Sequence, residues 1–206
     1  MTKTAVITGV LGGIGSGLAR TFKEAGYNVI GLDIRDAHSE HSDKFIVFDL
    51  DKYCTNDGYR AQQHKIFDEI IPSIDVLINN AAVQLLGSID EIKLDDWNHT
   101  MNVNLTGPLL LSQHFIRKLE AARGCIINIA SIHHELTKRR FVSYATSKSA
   151  LVGLTKSMSV DLQGRVRVNA ISPAAIDTPM LHEGFNNDEE LVNKLHNIHP
   201  IRRIGK

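Results

Sequence analysis

Apolar residues recur along the chain with two alternating periods. Thr4–Thr8, Asn28–Asp33, Phe45–Asp49, Asp75–Asn79, Gly124–Ile129 and Val166–Ile171 are short, Val- and Ile-rich runs, and they predict six strands. Longer amphipathic stretches lie between them. Ile14, Leu18, Phe22 and Ala25 fall near helical spacing, and Gly26 is a natural stop. Tyr59–Ile71 predicts a helix ended by Pro72. Leu94–Ala121 predicts one long helix, with Pro108 as a kink or the start of a new turn. Ser143–Leu162 predicts another, and Asn187–His196 a short helix in an otherwise irregular tail. Strands that alternate with helices and are apolar on both faces imply an α/β fold with a doubly wound, mostly parallel sheet. Such sheets bind ligands beyond the C-terminal ends of their strands, so chemistry is sought just after each strand.

Composition narrows the function classes. The 206 residues carry 23 Lys and Arg against 23 Asp and Glu, so no basic excess exists to neutralise phosphates, and a nucleic-acid partner is not expected. No linker or repeat divides the chain, and residues 1–206 read as one domain. Cys54 and Cys125 make neither a disulfide framework nor a metal-ligand spacing. The apolar start is too short for a secretory signal. The longest uncharged run, Met101–Ile116, carries Asn102, Asn104, Gln113 and His114, which makes a poor bilayer span. A soluble, cytoplasmic setting with no membrane partner is expected.

The segment after the first strand is Thr8-Gly9-Val10-Leu11-Gly12-Gly13-Ile14-Gly15. Glycines let the backbone approach a ligand, and the helix behind them offers free N–H groups and a partial positive charge to a pyrophosphate. A tight turn without a ligand is the plainer alternative. Asp33 ends the second strand 18 residues after Gly15, where a carboxylate can accept from an adenosine ribose 2′-hydroxyl and repel a 2′-phosphate. NAD is therefore expected over NADP, with nearby Arg35 counting the other way. Tyr144 and Lys148 stand at i and i+4, on one helix face. A phenol titrates near pH 10, and a neighbouring cation lowers that value. Ser131, just after the fifth strand, offers a hydroxyl to an oxygen that gains charge, although a capping role is the simpler reading. Asn104 is a polar amide among apolar helix residues and needs a partner.

In order and spacing these residues resemble the short-chain dehydrogenase/reductase family. The resemblance runs through Thr8-Gly-x-x-x-Gly13-Ile14-Gly15, Asp33, Asp49, Asn79-Asn80-Ala81, Asn104, Ser131, Tyr144-x-x-x-Lys148 and Asn169-Ala-Ile-Ser-Pro173 with Thr178, over essentially the whole chain. It implies a Rossmann fold and reversible hydride transfer between nicotinamide and an alcohol or ketone. It implies Tyr144 as general acid/base, Lys148 lowering the tyrosine pKa and holding the nicotinamide ribose, Ser131 orienting the substrate oxygen, and Asn104 supporting a proton relay. Asp49 and Leu50 would sit by the adenine. Asn80, Ala81, Pro173, Ile176 and Thr178 would join Gly9, Gly13, Ile14 and Gly15 in the cofactor cleft.

Three departures stand out. Ala82 and Ala174 occupy positions where the family usually has Gly, and a methyl group at a positive φ costs on the order of 1 kcal/mol. The chain also ends at Lys206, without the family's further helix and seventh strand, which would leave Val166–Ile171 as an apolar sheet edge. A nucleotide-binding module that has lost catalysis is the alternative these departures raise. The basic loop His133-His134-Glu135 to Lys138-Arg139-Arg140 reads as a wall for a polar, even anionic, substrate or as a solvated surface; a metal site there is not expected. The apolar breadth of the two long helices favours a homodimer or homotetramer.

Overall fold

The computed structural model describes residues 2–206. Strands β1 (Thr4–Thr8), β2 (Asn28–Asp33), β3 (Lys44–Val47), β4 (Val76–Asn79), β5 (Cys125–Ile129) and β6 (Arg167–Ile171) form one parallel sheet in the order β3-β2-β1-β4-β5-β6. Helices α1 (Gly13–Glu24), α2 (Leu50–Thr55), α3 (Asp57–Ile70), α4 (Leu94–Met101), α5 (Gly107–Ala122), α6 (Val142–Asp161), α7 (Pro179–Glu183) and α8 (Glu189–Ile198) complete the chain. The strand order reverses at β1, so the connections leaving β1 and β4 turn to opposite sides and open a crevice at their C-terminal ends.

Two apolar layers hold the sheet. Alternation along β1 sends Val6 to one layer and Ala5 and Ile7 to the other. The first layer packs Leu32, Leu77 and Ile126 against Tyr53 of α2, Phe67 of α3 and Phe115 of α5. The second packs Val29 and Ile78 against Ala19 of α1. Each large side chain buried this way contributes about 1.5–3 kcal/mol. Among the described residues, no helix is long and apolar enough to cross a membrane.

Three expectations are corrected. The third strand stops at Val47: Phe48 N–H makes a last bond to Asp33 O at 2.7 Å, and Asp49 leaves the sheet to accept from Lys52 N–H at 3.1 Å as the cap of α2. That helix is too short to show a period, and its cap reads equally well as a strand end. The second correction concerns α3, which starts two residues early because the Asn56 side chain accepts from Tyr59 N–H at 2.9 Å. The third concerns the stretch from Leu94 to Ala121, which is not one helix. A π-helical turn, Asn102–Thr106, separates α4 from α5, and Gly107 N–H reaches back to Asn102 O. Pro108 cannot donate to the usual carbonyl four residues back, so it follows the widened turn instead of kinking a regular helix. As expected, β6 is the sheet edge, and Ile171 is half exposed there.

Candidate active site

A cleft of about 690 Å³ opens at the C-terminal ends of β1, β4 and β5. Its floor is the turn from β1 into α1. Gly9 takes φ +65°, and a Cβ there would stand 2.8 Å from Ala81 Cα. A Cβ on Gly15 would overlap the Gly9 carbonyl oxygen, and one on Gly13 would stand 2.6 Å from Thr178 Cγ2. No side chain caps the N-terminus of α1, and its first turn carries no acid. Uncapped N–H groups, positive helix polarity and room for close approach fit a dinucleotide pyrophosphate.

Neighbouring residues fix this turn. The Asn80 amide donates to Thr8 O at 2.9 Å and Gly9 O at 3.1 Å, while the Thr8 hydroxyl accepts from Asn80 and Ala81 N–H, each at 3.0 Å. Asp33 is buried at the end of β2. One of its oxygens accepts from Leu11 N–H at 3.0 Å, and the other accepts from Arg35 N–H and Nε at 3.1 Å. The carboxylate thus locks the glycine turn and pairs with Arg35, a partner that sequence spacing does not assign. Asp49 and Leu50 line the same end of the cleft.

At the other end, α6 presents Tyr144 and Lys148 on one face. Both are buried, and both line the cleft with Ser131. Lys148 Nζ donates to Ile129 O at 2.7 Å and lies 5.7 Å from the Tyr144 ring centroid. Burial pushes its pKa down to about 8. Here the expected sign for the tyrosine is reversed. Burial pushes the Tyr144 phenol above its ordinary value, and only the neighbouring Ser131 hydroxyl pulls it down. Desolvation of a phenolate costs more than its surroundings return, so the resting phenol stays protonated. The Ser131 hydroxyl also accepts from His133 N–H at 3.2 Å.

Asn104 is the one expected site residue that does not line the cleft. Its carbonyl accepts from Val83 N–H at 2.9 Å, and its amide donates to Val83 O at 2.9 Å and Ser147 Oγ at 3.0 Å. The π-helical turn delivers it there, tying the cleft wall at Val83 to α6 from behind. The cleft does receive Gly9, Gly13, Ile14, Gly15, Asp33, Asp49, Leu50, Asn80, Ala81, Pro173, Ile176 and Thr178. Ala82 and Ala174 also line it, and neither has a positive φ, so the strain that would argue for an inactive module is absent.

The basic loop divides. His133 and Lys138 reach the cleft. Arg139 does not, and Arg140 turns away to pair with Glu91 at 2.7 Å. His133 Nδ1 meets Leu136 O, while His134 meets Ser131 O and Glu135, so the two imidazoles serve the turn separately. The tail supplies the rest of the wall, as the doubly wound arrangement implies for Ala174–Pro200. Leu181, Phe185, Leu195 and Ile198 close the cleft, and Ile176 pairs with Gly205 so that the chain end clamps this segment.

A family model described as short chain dehydrogenase matches residues 3–189. Among curated proteins, a 3-oxoacyl-(acyl-carrier-protein) reductase of Thermotoga maritima is 32% identical over 99% of this chain and 85% of its own. A solved structure of 4-hydroxyisoleucine dehydrogenase complexed with NADH superposes with TM-score 0.87 at 29% identity, covering 99% of this chain and 86% of that one. A structure of ElxO with NADP bound gives TM-score 0.85 at 26% identity, covering 100% and 86%.

Proposed function

The chain belongs to the short chain dehydrogenase family, and on that premise we propose that it is an oxidoreductase acting on a small alcohol or ketone, with NAD preferred over NADP. One observation carries the reading. The uncapped start of α1 and the Tyr144–Lys148 face of α6 open onto a single cleft. When bound, the nicotinamide dinucleotide supplies or accepts the hydride.

The side chains do the rest. In reduction, the Tyr144 phenol donates its proton to the substrate oxygen as that oxygen gains charge. The Ser131 hydroxyl donates a hydrogen bond to the same oxygen. The Lys148 ammonium, held on Ile129 O, compensates the phenolate left behind. At the 5.7 Å that separates Nζ from the ring centroid, such an attraction is on the order of 3 kcal/mol. Asn104 acts as a positioning residue through Val83 and Ser147. Asp33 accepts from the adenosine ribose and opposes a 2′-phosphate, and Arg35 is already paired with it at 3.1 Å. Gly9, Gly13, Ile14 and Gly15 carry the pyrophosphate, with Asn80, Ala81, Pro173, Ile176 and Thr178 along the nicotinamide side.

The test is NADH binding by fluorescence together with turnover on a panel of polyols, hydroxy acids and ketones. Tyr144→Phe is expected to keep NADH binding and lose turnover by at least a thousandfold, and NAD to exceed NADP in kcat/KM. Wild-type turnover no higher than that of Tyr144→Phe across the panel would sink the reading. We further propose a cytoplasmic enzyme in which residues 1–206 form one domain and which assembles through α5 and α6, where Val160 is 77% exposed. A sedimentation mass of one chain would remove the assembly.

A further inference from the structure

The substrate end of the cleft has an apolar wall that includes Val83, Ile132, Leu181 and Leu195. One cation stands in that wall. Lys138 Nζ lies 4.3 Å from the centroid of Phe141 and 4.4 Å from that of Phe185. Phe141 closes the loop before α6, and Phe185 follows α7, so the ammonium is sandwiched between two segments far apart in the chain.

Ring faces attract the charge but do not accept three directed N–H bonds. Among the described residues Lys138 has neither a hydrogen-bond acceptor nor an ion-pair partner. Two neighbouring basic side chains are held elsewhere, Lys148 on Ile129 O and Arg140 on Glu91, and Arg139 does not reach the cleft. Glu183 also borders the cleft but is exposed and makes no pair with Lys138. Lys138 is itself exposed, so water serves its donors in the free protein; an anion that brings its own acceptors replaces that water with charge-assisted bonds beside the two rings.

The position relative to the chemistry is set by the same rings. The centroids of Phe141 and Tyr144 are 5.6 Å apart, so Lys138 stands one aromatic ring away from the phenol. We propose that Lys138 is the specificity-determining residue of this cleft, binding a carboxylate that the substrate carries a few bonds from its reacting carbon. The inference deepens the oxidoreductase reading and rests on it.

The probes are 2-, 3- and 4-hydroxybutanoate and their uncharged amides, with wild type, Lys138→Met, Lys138→Arg and Tyr144→Phe. Met keeps an unbranched stem between the rings and removes the charge. Wild type should favour at least one acid over its amide by tenfold or more in kcat/KM. Lys138→Met should raise KM for that acid roughly 10- to 100-fold, leave kcat within about threefold, and leave the amides unchanged. Lys138→Arg should retain the preference. Titration calorimetry of the same acids into the NADH-saturated protein reads the site without turnover, and Lys138→Met should weaken binding by the same factor.

Equal losses for acid and amide would reduce Lys138 to a strut for Phe185 and overturn the proposal. Acids and amides oxidised alike by wild type would also overturn it while leaving the oxidoreductase reading standing. Acids that bind through Lys138 without turnover above Tyr144→Phe would do the reverse, keeping the anion site and removing the activity. Acids that neither bind nor turn over would end the proposal.

Discussion

Gly13→Ala places a methyl group where the tail crosses the glycine turn. The new Cβ would stand 2.6 Å from Thr178 Cγ2 and 3.1 Å from Thr178 Cβ. Carbon atoms prefer about 3.5–4.0 Å, so the overlap with Cγ2 is about 1 Å. Overpacking of this kind costs about 1–3 kcal/mol. Replacing a helical Gly by Ala returns about 0.5–1 kcal/mol, which leaves a net loss of about 1–2 kcal/mol. If the tail moves off the turn, the NADH Kd should rise about 5- to 30-fold, since 1.4 kcal/mol is a factor of ten. Thr178→Ser removes Cγ2 but keeps the hydroxyl that caps α7. In the Thr178→Ser background, Gly13→Ala should therefore weaken NADH by no more than about threefold. The pair would show a coupling of about 1–2 kcal/mol in fluorescence titrations and in thermal unfolding. Additive effects, with the Gly13→Ala penalty undiminished when Cγ2 is gone, would refute the claim that the tail rests on this glycine. Gly15→Ala is the control, because its Cβ meets the Gly9 backbone and no side-chain change can relieve it.

Lys148 loses its proton near pH 8 while Tyr144 keeps its own past its ordinary value, so reduction-direction kcat/KM should fall above about pH 8; a profile flat to pH 10 would contradict that assignment. His114 is stacked on His64 with centroids 4.1 Å apart, and burial pushes its pKa down to about 4 from an ordinary 6.5. The unfolded chain then binds more protons than the folded one below pH 6.5, so stability is full above that value and is lost as pH falls toward 4. His114→Phe should flatten that loss in urea titrations between pH 7 and 4, and an unchanged slope would assign it to other groups. Arg140→Glu breaks an exposed pair with Glu91 outside the cleft, so KM for any acidic substrate should stay within twofold and the urea midpoint should barely move.

The parts of the site that were legible in the sequence share a property: local backbone geometry fixes them. Glycines in a strand-to-helix turn, an acid at a strand end and a Tyr–Lys pair at i, i+4 keep their relation wherever the element docks. Asn104 shows the limit. Its place among apolar residues marked it as needing partners, but those partners are Val83 and Ser147, 21 and 43 residues away, and the turn that aims it is π-helical. Arg139 and Arg140 show it from the other side. They neighbour Lys138 in sequence, yet Arg140 adopts φ +68° and turns its charge to Glu91, while Lys138 alone of the three enters the cleft.

The sequence by itself determined the alternation of strands and helices, the parallel sheet and the end of it where ligands bind, because apolar period and glycine placement act over a few residues. Tertiary structure alone decided which groups are dry. Packing α6 against β5, β6 and the turn after β5 buries Tyr144 and Lys148 together, and desolvation then raises the phenol and lowers the amine, against the sign that pairing two charges in water would give. Burial depends on every neighbour at once, so no local spacing encodes it.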